Sequence, residues 1–396
     1  MSDLTFFIFI FVAIAIGWYL GRKSGSKRAK RDKRQEALTR TYVQGLNFLL
    51  NERPDEAIEA FIDSLEVTPV TFETHLALGS LLRKRGESDQ AIRVHQNLLA
   101  RPSLSNEQQQ KSQLELARDY ISAGWLDRAE RLLQELVEQS QELRSTSLEH
   151  LIEIYRDERE WARAIHAVSM LHGKRFKKLP PEWAHIQAHF CCEMAEEALK
   201  AKDYLSARKH LKLALEYDKD SVRASLLWAK LDFSLGSYRD AIKVLRRIPR
   251  QNPEYIAETL ELLEASYEAL GDEKGLIKYL ESLLKEFPSN SVLIALAERI
   301  KNDEDEAEAA AFMGKQLQAR PSLRGLARFL DMHIDNTQGR ARENLSILKG
   351  MVDQLVATRP QYRCHHCGFS GNQLHWLCPS CKHWDTVRPV KGIEGE

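Results

Sequence analysis

Four cysteines near the C-terminus have the spacing of a metal site. Cys364 and Cys367 form one Cys-x-x-Cys pair, and Cys378 and Cys381 form a second pair after ten intervening residues. Each pair lies on a tight turn that directs two thiolates at one point, so the two turns supply four sulfur ligands with tetrahedral geometry. Because the protein fills all four positions, the spacing predicts a structural metal rather than a catalytic one.

Two disulfides would be the alternative use of these thiols. A metal is favoured because the orientation derived below places this tail in the reducing cytoplasm, where disulfides are rare. Zinc is favoured over iron because nothing else in the sequence indicates electron transfer, although a four-cysteine iron site uses the same ligands. The nearby histidines are not expected to be ligands; they are His365, His366, His375 and His383.

The other residues of the tail indicate which partners it can bind. Trp376 and Trp384 are large apolar side chains for so small a module, and we expect them both to form its core and to dock it on neighbouring helices. Residues 361–396 contain four basic and three acidic side chains. That charge is too small for phosphate contacts to dominate, so nucleic acid is not expected as a partner.

A second set of ligand-type residues lies in the middle of the chain. His185 and His189 are four residues apart on a predicted helix, and Cys191 and Cys192 follow them. The motif HIQAH lacks the glutamate of a metalloprotease helix, and Cys191 falls at a predicted core position, so core packing is the expected role. The sequence shows no P-loop, dinucleotide fingerprint, nucleophile elbow or carboxylate pair, and no enzymatic activity is expected.

Helical repeats are predicted between the N-terminal segment and the cysteines. From about residue 38 the chain is self-similar with a period near 34 residues, which is typical of tetratricopeptide repeats. Eight copies begin near residues 38, 72, 110, 145, 188, 222, 257 and 290. Small residues at the eighth and twentieth positions allow two antiparallel helices to approach, and a single repeat cannot bury its own apolar face. Stacking of neighbouring repeats therefore forms the core.

Glycines mark the ends of several predicted helices, and one longer segment interrupts the repeat spacing. Gly124, Gly236 and Gly271 are expected in the left-handed conformation that ends a first helix. Residues 173–181, GKRFKKLPP, lengthen one repeat step to 43 residues. This segment either divides the array into two arcs or is a tolerated insertion. Residues 322–358 predict two further helices that cap the array.

The first helices of such arrays present side chains on a concave groove that binds partner segments. The ninth position of each repeat is expected to face this groove. The polar residues there include the candidate protein-binding residues Arg118, Glu153, Glu196 and Lys230. For most of these positions taken singly, a solvated helix face is the simpler interpretation.

The N-terminal segment has the properties of a membrane anchor. Residues 4–20 are 17 residues without charge, and as a helix they span ~25 Å, slightly less than a ~30 Å hydrocarbon core. Eight basic residues lie between positions 22 and 34. Positive residues stay on the cytoplasmic side, so the N-terminus is expected outside and residues 22–396 in the cytoplasm. A cleaved signal peptide is disfavoured because the basic cluster follows the apolar run instead of preceding it.

The formal net charge of zero combines two unlike segments. Residues 1–34 contain eight basic and two acidic side chains and are therefore +6, whereas the rest of the 396-residue chain is −6. A hydrophobic content of 43% excludes wholesale disorder. The single long apolar run excludes a polytopic membrane protein.

The order of these segments resembles the lipopolysaccharide assembly protein B family of Gram-negative bacteria over the whole chain. The motifs that carry the resemblance are GWYLGRKS, YVQGLNFLL, LARDYISAGWLDRAE, YRCHHCGF and CPSCKHW. It implies an all-α tetratricopeptide superhelix with an N-terminal transmembrane helix and a C-terminal rubredoxin-like zinc ribbon. The corresponding domains are an anchor (1–21), a basic juxtamembrane segment (22–37), about eight repeats (38–321), capping helices (322–358) and the ribbon (359–396).

The resemblance also implies a function and partners. Family members are non-enzymatic inner-membrane adaptors for the AAA+ protease FtsH. They promote degradation of the deacetylase that commits precursor to lipid A, and a lipopolysaccharide-sensing membrane protein restrains them. The metal role carries over to the four cysteines of the tail. A scaffold for lipopolysaccharide synthesis and export proteins, or an iron-bearing redox module, are the alternatives; a homodimer and direct lipopolysaccharide binding are left open.

Overall fold

The computed structural model describes residues 71–102, 104–173, 179–303 and 306–395, together with Trp18 and Phe48. The predicted anchor, the basic segment and the first predicted repeat lie outside the described residues, except for those two positions. Within the described residues, no helix combines the length and the apolar character needed to cross a membrane.

The described chain is mostly helical, as the repeat pattern predicts. Its α-helices are α1 Phe72–Lys84, α2 Ser88–Leu99, α3 Asn106–Ser122, α4 Leu126–Gln139, α5 Arg144–Asp157, α6 Trp161–His172, α7 Pro181–Lys200, α8 Tyr204–Tyr217, α9 Val222–Ser234, α10 Tyr238–Leu245, α11 Ile248–Gln251, α12 Ala257–Leu270, α13 Glu273–Glu286, α14 Asn290–Asp303, α15 Glu306–Ala319, α16 Leu323–Asp335 and α17 Arg340–Ala357. A short 3-10 helix, Pro253–Tyr255, precedes α12.

The chain forms two compact units, Met1–Gly173 and Lys174–Glu396. The boundary lies at the start of the long step that the sequence predicts at residues 173–181, which agrees with a divided array rather than with a simple insertion. Helices α1 to α6 belong to the first unit. The second unit contains α7 to α17 and the C-terminal strands.

Within each unit, small residues let paired helices approach closely. Ala91, Ala117, Ala129 and Ala164 are fully buried in the first unit, and Ala207, Ala214, Ala229 and Ala241 in the second. A close approach of two helices occurs at Gly79, where an added Cβ would lie 2.4 Å from the imidazole of His95 on the next helix. A larger side chain at these positions would separate the helices and open the core.

Three predicted helix ends are confirmed. Gly124, Gly236 and Gly271 have φ angles of +76°, +74° and +66°. In each case the next residue donates a hydrogen bond to the carbonyl five residues before it, as Trp125 does to Tyr120 at 2.8 Å. This is the Schellman arrangement, which satisfies helix-end carbonyls and turns the chain into the second helix of the repeat.

The C-terminal residues form a small sheet rather than more helix. Strands β1 Tyr362–Cys364, β2 Ser370–Gly371 and β3 Val387–Pro389 make a three-stranded antiparallel sheet in the order β2-β1-β3. Because β1 runs into the first cysteine pair and the second pair lies in the connection from β2 to β3, the sheet brings the two pairs together.

Candidate metal centre and its seat on the helices

The two Cys-x-x-Cys pairs lie on turns of the same design. The N–H of Cys364 donates to the carbonyl of Phe369 at 2.6 Å, and the N–H of Cys378 donates to the carbonyl of His383 at 3.0 Å. The residue after the second cysteine of each turn is left-handed, with φ +79° at Gly368 and +58° at Lys382. Both turns therefore present their thiols in the same way.

The four thiols converge on one point. The Sγ atoms of Cys364 and Cys381 are 3.7 Å apart, as are those of Cys367 and Cys378, and all four lie within 4.8 Å of one another. Ligands of a tetrahedral ion with ~2.3 Å metal–sulfur bonds lie about 3.8 Å apart, whereas a disulfide needs ~2.0 Å. All six cysteines are free thiols. The four form a zinc-ribbon-like metal-binding site, as the sequence predicts, and fit one structural metal ion.

The electrostatics of the thiols agree with a cation. Burial opposes ionisation of Cys364, but its hydrogen bond with the Thr386 hydroxyl and those from backbone N–H groups outweigh burial and lower its pKa to about 5. The backbone N–H of Phe369 lowers the pKa of Cys367. Burial and the neighbouring thiols raise the pKa of Cys381 to about 12. A positive ion is what allows all four sulfurs to be ionised together.

The ribbon docks on the second unit through its two tryptophans. Trp376 stacks on Tyr255 with ring centroids 5.2 Å apart, and Trp384 stacks on His189 at 4.7 Å. The ribbon's own core is formed by Cys364, Cys378 and Val387 with Tyr362, Phe369 and Cys381 around them. We expected the two tryptophans both to form the core of the ribbon and to dock it; in the structure their main role is docking.

Hydrogen bonds and ion pairs surround this stacked contact. Tyr255 donates to Asp385 at 2.5 Å. Tyr362 of β1 donates to Glu258 of α12, also at 2.5 Å. Glu254 of the 3-10 helix pairs with Arg388 at 3.2 Å and with Lys391 at 2.7 Å. Burial, followed by Asp385, raises the pKa of Tyr255, so its phenol remains a donor.

The two histidines of α7 contribute to the docking site. Burial, reinforced by Arg223, holds the pKa of His189 well below its usual range, so a neutral ring faces Trp384. A hydrogen bond with Asp218 at 2.9 Å raises the pKa of His185. Among the described residues neither belongs to a group of three or more ligands that could hold a metal. Core packing is confirmed for Cys191, which is fully buried.

Arg223 of α9 is the buried cation of this seat. It pairs with Glu193 at 2.8 Å and with Glu196 at 2.9 Å, and its guanidinium carbon lies 5.7 Å from the ring centre of Trp384. Its side chain is only 4% exposed, so the tryptophan covers a charge that would otherwise meet water.

The four candidate groove residues have different surroundings. Arg118 and Glu153 lie in the first unit, where Arg118 donates to His150 at 3.1 Å and Glu153 pairs with the same histidine at 3.3 Å. In the second unit Glu196 is held by Arg223, and Lys230 is exposed. Binding of a partner by any of them remains a prediction.

Sequence reasoning missed the residues that seat the ribbon. Tyr255 and Asp385 are 130 positions apart, and Tyr255 lies in a 3-10 turn between repeats, where no periodicity applies. Arg223 carries no motif. The one available signal was His189, a histidine on a predicted apolar helix face, because a buried imidazole needs a specific neighbour.

Comparisons with known proteins agree with this architecture. A model of the rubredoxin metal binding domain matches residues 362–389, and tetratricopeptide repeat models match residues 74–108 and 198–265. Lipopolysaccharide assembly protein B of Escherichia coli (strain K12) is 36% identical over 393 residues, which are 98% of each chain. The chain belongs to the lipopolysaccharide assembly protein B family. The protein of the same name from Haemophilus influenzae is 34% identical over 398 residues, again 98% of each chain.

A solved structure extends the likeness in fold. One chain of the structure described as Naa15/Naa10 bound to HypK-THB matches 78% of this chain, and the match covers 48% of that chain, with 17% identity and a TM-score of 0.52. At that identity the likeness concerns the arrangement of helices alone.

Proposed function

We propose that this protein is a non-catalytic adaptor in lipopolysaccharide assembly. The observation that carries the proposal is the match to family members along 98% of both chains, which extends through the metal ribbon as well as the repeats. Repeat arrays bind partner segments along their helices. A closed four-thiolate site has no open position for substrate, which supports a binding role.

The finer proposal concerns controlled proteolysis. The protein acts as an adaptor for the membrane AAA+ protease FtsH, and it promotes degradation of the deacetylase that commits precursor to lipid A. A lipopolysaccharide-sensing membrane protein restrains it. In this scheme the groove residues, with Arg118 and Lys230 as the cationic candidates, hold partner segments while the protease acts.

The metal stabilises the folded ribbon of the adaptor. Zinc, which we favour over iron, supplies folding energy to a ribbon too small to bury an adequate core. Trp376 and Trp384 then seat that ribbon on the second unit. Metal analysis of the purified chain tests the choice: one zinc per colourless chain agrees with it, and a red protein with one iron contradicts it.

An anchor at residues 4–20 would hold the described units beside a membrane protease. We propose a single-pass inner-membrane protein with a periplasmic N-terminus and a cytoplasmic body. Tethering raises the effective concentration of partners, so weak contacts suffice. A chain lacking residues 1–21 should therefore be soluble and weakly active; full activity of that form would contradict the tethering argument.

The lifetime of the deacetylase tests the adaptor proposal directly. In cells depleted of this protein, the deacetylase should persist several times longer after synthesis is stopped, and re-expression of the intact chain should restore its turnover. Lys230→Ala and Arg118→Ala, expressed at equal levels, should lengthen the lifetime less than depletion does. An unchanged lifetime on depletion would refute the adaptor and favour the scaffold alternative.

A further inference from the structure

A second group of ligand-type side chains lies on the exposed side of the ribbon. His366, Cys381 and His383 each offer a ligand atom, and the three atoms lie within 4.8 Å of one another. The two imidazole rings stack with centroids 3.9 Å apart and planes 22° from parallel. Both histidines are exposed, and Cys381, which also belongs to the four-cysteine site, is partly buried. The group is therefore open to an ion arriving from solvent.

A backbone carbonyl orients one of these histidines. Nδ1 of His383 lies 2.8 Å from the carbonyl oxygen of Cys381. A carbonyl only accepts hydrogen bonds, so Nδ1 of His383 is the donor in this contact. Metal-binding histidines are commonly oriented in this way, by donation from their other ring nitrogen to a backbone carbonyl. The contact thus orients the His383 ring.

Cys381 belongs to both groups of ligands. Its Sγ atom is 3.7 Å from that of Cys364 in the four-cysteine site. An ion bound by the two imidazoles and Cys381 already touches one of its four final ligands. Three protein ligands leave a fourth position to water and make a labile site, whereas four thiolates close the coordination.

We propose that His366, Cys381 and His383 form a capture site, where a divalent ion such as zinc binds before it reaches the four-cysteine site. Imidazole and thiolate together suit zinc. Ligand atoms of one such ion lie ~3.3–3.8 Å apart. The two rings, which are stacked in this structure, therefore have to rotate about their side-chain torsions before both can bind one ion. Transfer replaces the imidazoles and the water by three more sulfurs; each thiol that binds releases its proton to solvent, and no electron is transferred.

The ribbon contains a matched control. His365 is adjacent to His366 and exposed, but it does not belong to the group. Its backbone N–H donates to the carbonyl of Thr386 at 2.8 Å, a bond that a side-chain substitution leaves in place. His365→Ala therefore removes an imidazole from the same surface without touching the capture site.

Metal exchange on the filled protein tests the proposal. The purified full chain with one zinc is mixed with excess cadmium, and bound cadmium and zinc are followed over time by mass spectrometry. His366→Ala/His383→Ala should exchange roughly tenfold or more slowly than the wild type, because it lacks two of the three capture ligands; loss of outer-shell partners alone already costs about tenfold in metal affinity. It should still end with one cadmium per chain and an unchanged unfolding midpoint, and His365→Ala should exchange at the wild-type rate.

Three results would overturn the capture site. The first is a double variant that exchanges as fast as the wild type. The second is an equal slowing in His365→Ala, which would indicate a general effect of surface charge. The third is a final cadmium content below one in the double variant, which would make the histidines ligands of the resident ion. Because exchange begins and ends with a filled ribbon, none of these outcomes depends on a metal-free ribbon remaining folded.

Discussion

Each unit contains a buried polar cluster, and the two clusters provide partners for their buried polar atoms in different ways. In the first unit, Asp119 is fully buried and accepts hydrogen bonds from His95 at 2.5 Å and from Arg83 at 2.6 Å. Arg83 also donates to Glu115 at 2.6 Å. We call these four residues the helix cluster. Both oxygens of Asp119 are partnered, and all the partners lie on α1, α2 and α3.

The second cluster lies under the ribbon. The seat cluster consists of Arg223, Glu193, Glu196, His189 and Trp384. Within the described residues, Nε and Nη1 of Arg223 and Nδ1 of His189 are buried without a hydrogen-bond partner. Such atoms destabilise a fold when nothing compensates them. Here the ring of Trp384 stacks on the imidazole and lies over the guanidinium, and such ring contacts offset part of the cost.

The difference indicates what each cluster is for. The helix cluster is complete without the ribbon and holds three helices of its own unit together. The seat cluster is incomplete until a distant part of the chain covers it, so its stability depends on the ribbon. The two clusters should therefore respond to different perturbations.

Removal of a metal ligand should give the largest effect, and only in the second unit. Cys378→Ser replaces a buried ligand, so the bound metal should fall from one per chain towards zero in the presence of a chelator. The folding energy that the metal supplies to the ribbon would be lost, an apparent ~10–16 kcal/mol for structural zinc sites. Hydrogen exchange should then rise in β1 to β3 and at α7, where Trp384 leaves His189.

The first unit is the internal control for that experiment. Exchange at α1 to α3 should not change, because no member of the helix cluster depends on the ribbon. Thr386→Val, which removes a hydrogen bond to Cys364 but no ligand, should keep one metal per chain. Metal retention by Cys378→Ser equal to that of the wild type would refute the assignment of the ligand.

Loss of Asp119 should give the next largest effect, in the first unit only. Asp119→Ala removes the buried acceptor of His95 and one of the two carboxylates that Arg83 pairs with, and the breaking of such a network costs about 3–5 kcal/mol. Denaturant unfolding followed by hydrogen exchange at α1 to α3 measures it. Glu107→Ala removes an exposed partner of Lys111 and should cause no measurable change. A shift of that size at α7 in Asp119→Ala would contradict the separation of the clusters.

The metal site and the helical repeats could be predicted from the sequence. The four thiols were predictable because each pair is local, and its Cys-x-x-Cys turn contains most of the geometry. The repeats were predictable because one period recurs along the chain, and the glycines that end first helices recur with it. Both signals are independent of distant contacts.

The seat cluster was not predictable for the opposite reason. Tyr255 meets Asp385 across 130 positions, and no local pattern marks either residue. Glu196 illustrates the consequence: its repeat position predicts a groove ligand, but a tertiary contact with Arg223 gives it a buried partner. The repeat register predicts which face of a helix points away from the core. Which part of that face the ribbon covers depends on long-range contacts, which the repeat register does not encode.

Truncation of Trp384 should separate metal binding from docking. Trp384→Ala removes the ring over His189 and Arg223, and loss of a packed aromatic side chain costs about 3–5 kcal/mol in a core and less at this partly open contact. The ribbon should keep its metal, because Trp384 is not a ligand, yet become accessible to protease. Trp384→Phe should retain part of the contact. Metal loss in Trp384→Ala would show that docking and binding are one event.

The smallest effect should be on the pH dependence of the second unit. The pKa of His185 is raised, chiefly by its hydrogen bond with Asp218. Its stabilisation is therefore fully present below the unfolded value of about 6.5 and is lost as pH rises through the folded pKa. The pKa of His189 is lowered by burial, so the unfolded state takes up the proton first and stability falls as pH drops below about 6.5.

Because the two pKa shifts oppose each other, the free energy of unfolding of the wild type should pass through a maximum as pH changes. That maximum should be absent in His185→Gln. In His185→Gln the gain on acidification disappears, and the free energy of unfolding should only fall as pH decreases from 8 to 5. The side chain of His185 is 35% exposed, so solvent screening keeps the difference below about 1 kcal/mol. Asp218→Asn removes only the carboxylate charge, and Asp385 still lies 3.9 Å from His185, so this variant should give a curve between the other two. Parallel wild-type and His185→Gln curves from pH 5 to 8 would show that the ion pair contributes nothing to the seat of the ribbon.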